Sequence, residues 1–248
     1  MERLERGSGE WVAYVRHPGQ SPEVLFLGGF ASDMTGTKAL RLEEHCRARG
    51  QAFTRFDYRG HGSSSGSFAD GTIGLWASDA IAVLDQVVDG PAVLVGSSMG
   101  GWIMLLVALA RPERVAGLVG IASAPDFTAD LIEPALTAEQ QAALADDGGF
   151  MLPSEYDEAP TPITRRLLED GRQHLLLRAP IAIDRPVHLI HGQRDPDVPW
   201  PTSLRLAERL AAEDVTIELI KDGDHRLSRP QDLARITHAV DRIVASVG

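Results

Sequence analysis

The chain has 248 residues, carries 35 acidic against 24 basic side chains for a net charge of −11, and is 44% hydrophobic. That leaves ample apolar surface for a core and sets the chain against phosphate backbones and anionic membranes, so neither nucleic acid nor membrane insertion is expected. The one cysteine, Cys46, excludes an intrachain disulfide and a cysteine-built zinc site, and it is expected to pack rather than react, in a reducing, cytoplasmic setting.

Residues 1–6 are charged and lack an apolar run, so no secretory signal is expected. An early strand is predicted over 11–15 and a buried strand over 24–27, ending at Gly28-Gly29. A helix over 38–49, capped by Thr35 or Thr37, would turn Leu40, Leu42 and Cys46 inward. A strand over 52–58 leads into the Gly/Ser-rich loop 59–66, and a helix over 73–88 carries Trp76, Ala80, Val83, Leu84 and Val87 at helical spacing. The uncharged run 91–110 is long enough for a bilayer, yet Gly96-Ser97-Ser98-Met99-Gly100-Gly101 breaks it midway. It therefore reads as a buried strand over 92–95 and a helix over 99–110, and another strand follows over 115–121.

This alternation of apolar strands and helices predicts an α/β fold with a mostly parallel sheet covered on both faces. The rhythm breaks over 125–185, which reads as a small helical cap inserted into a single domain, without a strand. A capping box at Thr137-Ala138-Glu139-Gln140 opens a helix that Gly148-Gly149 stops, and Thr161-Pro162 is expected to start another. A strand over 186–190, a helix over 203–212, a strand over 215–220 and a helix over 231–247 complete the chain.

Gly96-x-Ser98-x-Gly100 sits between a buried strand and a helix, the arrangement of a nucleophile elbow. A serine nucleophile needs a base, and the base an orienting acid. His225, in the polar loop after strand 215–220, is the candidate base, and Asp195 and Asp197, after strand 186–190, are the candidate acids. No His, Cys or carboxylate grouping has convincing ligand spacing, so neither metal nor cofactor is expected.

At His191-Gly192-x-x-Asp195-x-x-Val198-Pro199 the chain resembles the acid loop of the α/β-hydrolase superfamily, which favours Asp195 over Asp197 and implies that His61 and His191 belong to structural loops. The resemblance implies an α/β-hydrolase fold. It also implies an oxyanion hole from the backbone N–H groups of Met99 and Phe30, although Gly28 stands where many members have histidine. Gly29-Phe30 with Ser32, Met34 and Gly36-Thr37-Lys38-Ala39, then Arg55-Phe56-Asp57-Tyr58 with Gly60 and Gly62-Ser63-Ser64, Gly100-Gly101-Trp102, Val198-Pro199-Trp200 and Asp224-His225-Arg226 together resemble the mitochondrial palmitoyl-protein thioesterase branch of the α/β-hydrolase-domain proteins. That branch implies hydrolysis of acyl thioesters, esters and acyl glucuronides on small-molecule or acylated-protein substrates, here in a bacterial homologue. Same-triad carboxylesterases, lactonases and C–C hydrolases are the nearest alternatives, and a non-catalytic binding protein of the same fold the more distant one. Trp102, Phe127 and Trp200 are the foremost candidates for an apolar acyl slot, with Phe30, Met99, Phe150 and Met151 behind them, and Lys38 is a candidate to hold an anionic substrate group.

Overall fold

The computed structural model describes residues 1–153 and 160–248. Its centre is an eight-stranded sheet built from β1 (Glu2–Gly7), β2 (Glu10–His17), β3 (Gln20–Leu27), β4 (Gln51–Phe56), β5 (Ala92–Ser97), β6 (Val115–Ile121), β9 (Val187–Gly192) and β10 (Val215–Ile220). The spatial order is β1-β2-β4-β3-β5-β6-β9-β10, with β1, β2 and β4 paired antiparallel and the rest parallel.

The central strands are apolar throughout because both of their faces are buried. Leu25, Leu27, Leu94, Leu118 and Leu189 join one apolar cluster with Trp76 and Trp102. Their chain neighbours Val24, Phe26, Val93, Val95, Val119 and Ile190 point the other way, into a second cluster with Leu42, Cys46 and Val240. Helices α2 (Ile73–Gln86), α3 (Met99–Ala110) and α7 (Pro201–Arg209) cover the first face, and α1 (Thr37–Ala48) and α8 (Pro230–Val247) the second. α3 buries residues on every side, as the uncharged sequence 99–110 requires.

This topology places the site. β3 has β4 on one side and β5 on the other, and the chain leaves β3 into α1 on one face and leaves β5 into α3 on the opposite face. The two connections diverge and open a crevice at the carboxyl ends of β3 and β5, the place where open α/β sheets bind ligands.

Several local expectations are corrected. β1 was not anticipated: its charged side chains hide an edge strand, and Gly7 and Gly9, both at positive φ, turn it back onto β2. Neither threonine caps α1. Thr35 is bound to Asp33 through its N–H and hydroxyl (2.7 and 2.6 Å), Thr37 is already helical, and Gly36 fills the cap position without a side-chain hydrogen bond. Leu40 lies off the buried stripe of Ala39, Leu42 and Cys46 and is 44% exposed.

The stretch 125–185 contains a strand pair, β7 (Gly149–Leu152) with β8 (Thr161–Thr164), which pairs antiparallel. Thr161-Pro162 therefore opens a strand. The helix begins later, as α6 (Arg165–Gly171), with the Thr164 hydroxyl accepting from the Leu167 N–H at 3.1 Å. Short strands that pair with each other are not visible in local periodicity. The capping box is present as read, at the start of α5 (Ala138–Asp146), after the short α4 (Glu133–Ala135). Ile163, Leu167, Leu168, Leu177, Ile181 and Ile183 from this stretch are buried in the same cluster as Trp76 and Trp102.

Candidate active site

Ser98 stands at the turn between β5 and α3 with φ 54° and ψ −119°, a conformation strained for any residue with a side chain. Hydrogen bonds to β6, to the loop after it and to α3 hold it there. Its N–H donates to the Ile121 carbonyl (2.9 Å), and its carbonyl accepts from Gly101 (2.9 Å) and Ala124 (3.0 Å). The flanking glycines are required by contact. A Cβ on Gly96 would stand 2.4 Å from the Gly100 oxygen, and one on Gly100 would stand 2.1 Å from the Leu27 oxygen. The elbow is thus packed directly against the end of β3.

His225 lies between β10 and α8, and Asp195 follows β9. The parallel pairing of β9 with β10 brings the two loops together, and Arg194 N–H donates to the Gly223 carbonyl at 2.9 Å. His225 Nε2 lies 3.1 Å from Ser98 Oγ, and His225 Nδ1 lies 2.8 Å from Asp195 Oδ2. Three residues separated by up to 127 positions thus form one hydrogen-bonded line.

Asp195 has a fully buried carboxylate. Burial opposes its charge, but hydrogen bonds from His191 and His225, the charge interaction with His225 and the Val198 N–H outweigh that and hold its pKa below the usual carboxylate range. Its Oδ1 accepts from the N–H groups of Asp197 (2.9 Å) and Val198 (2.8 Å). Asp197 thus gives a backbone donor to Asp195, and its own carboxylate is not the one His225 Nδ1 meets. Asp195, Asp197 and His225 bring ligand-type atoms within 4.8 Å of one another, but Asp195 Oδ2 and His225 Nδ1 already engage each other.

Met99 is the first residue of α3, so its N–H has no acceptor within the helix, and it adjoins Ser98 in the positive end of the helix dipole. The loop carrying Phe30 abuts the nucleophile: a Cβ on Gly29 would lie 3.4 Å from the Ser98 Cβ. The end of β4 fixes that loop in place. The Tyr58 hydroxyl reaches the Gly28 carbonyl (3.4 Å), Asp57 accepts the Met34 N–H (2.6 Å), and Arg55 donates to the Met34 carbonyl (2.9 Å). Arg55, Asp57 and Tyr58 have no such role visible in the sequence, because their spacing carries no hint of which loop they reach.

The Phe30 ring packs edge-on against Phe68, Trp76 and Phe127, with centroids 5.0, 5.8 and 5.5 Å away. Phe127 is half-buried at the end of the loop after β6. Trp102 is fully buried. It backs Phe127 at 5.7 Å, and its indole N–H is satisfied by the His174 carbonyl (3.1 Å), so it presents no exposed surface of its own. Trp200 is half-buried at the start of α7, while Phe150 and Met151 lie on the β7–β8 pair, Met151 54% exposed. Lys38 is tied inward, its ammonium donating to the Arg226 carbonyl at 2.6 Å. Burial and the Arg226 charge lower its pKa to about 8, against the opposing pull of Asp224 and Asp195.

Residues 24–236 match the profile of the Alpha/beta hydrolase family. The chain belongs to this family. Like its relatives, this alpha/beta hydrolase is a hydrolytic enzyme. It is 42% identical over 242 residues to the mitochondrial palmitoyl-protein thioesterase ABHD10 of Mus musculus, covering 97% of this chain and 81% of that protein. The solved structure of alpha/beta hydrolase domain-containing protein 10 from mouse superposes with a TM-score of 0.92 at 40% identity, covering 100% of this chain and 99% of that one. A crystal structure from Agrobacterium vitis S4 matches with a TM-score of 0.93 at 45% identity, covering 98% and 97%. No described helix is long and apolar enough to cross a membrane.

Proposed function

We propose that this alpha/beta hydrolase cleaves acyl thioesters and carboxylic esters through a covalent acyl-enzyme on Ser98. The observation that carries this reading is the unbroken line Ser98 Oγ to His225 Nε2 (3.1 Å) and His225 Nδ1 to Asp195 Oδ2 (2.8 Å). Ser98 Oγ attacks the acyl carbon while His225 Nε2 takes its proton. The N–H groups of Met99 and Phe30 receive the developing oxyanion. The tetrahedral intermediate expels the thiolate or alkoxide, which takes the proton from His225. Water then gives a proton to His225 and attacks the acyl-enzyme, and collapse of that intermediate returns the proton to Ser98 and frees the acid. Asp195 orients His225 and stabilises its charged form throughout.

The acyl side is read as apolar, with Phe127 and Phe30 as wall and the stretch 125–185 acting as a cap over the crevice; residues 154–159 of that stretch lie outside those described. The mouse relative's name supports long acyl chains and an acylated-protein substrate. That name also carries a mitochondrial setting, whereas the reading of this chain as cytoplasmic rests on its single cysteine, which fits a reducing compartment. Ser98→Ala is expected to abolish turnover of palmitoyl and shorter thioesters and of p-nitrophenyl esters, and to abolish labelling by a fluorophosphonate, with thermal unfolding unchanged. Full turnover in that variant would refute the assignment.

A further inference from the structure

Asp195 Oδ2 is met by two imidazoles, His225 Nδ1 at 2.8 Å and His191 Nε2 at 3.1 Å. His191 is fully buried near the end of strand β9, and the same Nε2 lies 3.0 Å from the Val198 carbonyl. A carboxylate and a carbonyl only accept, so the ring must carry its proton on Nε2 and share it between them. Nδ1 is then a bare acceptor in the neutral ring, and the buried Ser203 hydroxyl on α7, 2.7 Å away, supplies the donor that fixes this tautomer.

We propose that His191 is a positioning residue: locked by Ser203, it holds the Asp195 carboxylate and takes part of its negative charge, so that His225 receives a fixed but moderated partner. The proposal rests on the reading of Asp195 and His225 as acid and base. A histidine that merely braced its loop needs only Ser203 and Val198; the additional contact to Oδ2 goes to the oxygen that His225 uses. The consequence follows from charge. A carboxylate that gives up one donor binds the imidazolium of the other more tightly. Losing the His191 donor therefore makes His225 harder to deprotonate.

Charged and titratable groups around this pair include Arg194 and Asp197 on the same loop, Asp224 and Arg226 on the loop after β10, and Lys38 on α1, whose ammonium interacts with Asp195, Asp224 and Arg226. None of them changes in the variants below. The change expected in His225 is therefore assigned to His191 alone.

Nitrogen NMR of histidine-labelled protein reads both rings without any turnover. In the wild type, His191 is expected to be the Nε2–H tautomer; a ring protonated only on Nδ1 would overturn the proposal. In His191→Leu the titration midpoint of His225 is expected to rise, and the acid limb of kcat/KM to move with it to higher pH. His191→Gln, which restores an N–H near the same place, is expected to bring both back toward the wild type. Ser203→Ala, the milder change should His191→Leu fail to fold, is expected to move them the same way by less, as the tautomer is released. A midpoint that stays put in every folded variant overturns the proposal. Midpoints that move in a protein without hydrolytic activity leave it standing and refute the proposed function instead.

Discussion

At the residue scale, the elbow works because nothing larger than hydrogen fits at its hinges. A methyl at Gly100 would press on the Leu27 oxygen, which belongs to the strand leading into the Phe30 loop. Gly100→Ala is therefore expected to lose about 1–3 kcal/mol of stability, as over-packed sites do, and to lower kcat/KM; thermal unfolding and ester turnover measure the two. His61 makes a separate prediction. It is buried among Tyr58, Phe68 and Trp76, and burial lowers its pKa from 6.5 to about 4. The unfolded chain therefore takes up this proton from about pH 6.5 downward and the folded one only near pH 4, so stability falls as pH drops through that window. The loss approaches about 3 kcal/mol at its lower end. His61→Phe is expected to flatten that part of the curve in denaturant unfolding between pH 7 and pH 4.5. A wild type and variant that lose stability in parallel would count against it.

At the scale of elements, the stretch 125–185 is anchored at a few identifiable points. Asp126, at φ 61° and with a fully buried carboxylate, accepts the N–H groups of Leu176 (2.8 Å) and Leu177 (2.9 Å) and lies 3.4 Å from Arg178. Asp130 joins Arg178 to Arg205 on α7 at 3.0 and 2.8 Å. Asp126 directly precedes Phe127, so these ties hold Phe127 in place against Phe30. Asp126→Ala leaves two N–H groups without their acceptor, at about 1–3 kcal/mol for each that stays buried. It is expected to reduce turnover of long-chain thioesters several-fold more than that of p-nitrophenyl acetate, measured over an acyl-length series. Equal losses along the series would remove Asp126 from the cap's function. The elements themselves differed in legibility. The capping box at Thr137 and the bounds of α3, β6 and β10 were readable because their signals are local. β1, β7 and β8 were not, since each is stabilised by a partner strand rather than by its own side-chain pattern.

For the whole molecule, the net charge of −11 makes a prediction about how substrate is met. Acyl substrates presented on anionic vesicles are expected to be hydrolysed faster as salt rises from low to physiological strength, because screening weakens the repulsion. The same substrates on zwitterionic vesicles should show little dependence, and equal salt profiles on both surfaces would refute the charge argument. The sequence by itself determined the alternation of strands and helices, the sharp turn at Ser98 and the order Ser98, Asp195, His225 along the chain, since apolar period and glycine placement are properties of short segments. Only the tertiary structure brought the Asp195 carboxylate within 2.8 Å of His225, left Trp102 with no exposed surface, and set Tyr58, Asp57 and Arg55 against the loop of Phe30. It alone put His191 on the same carboxylate oxygen as His225. The physical reason is common to all four: each depends on which distant groups packing brings into contact, and strand order and register are set by packing of the whole sheet.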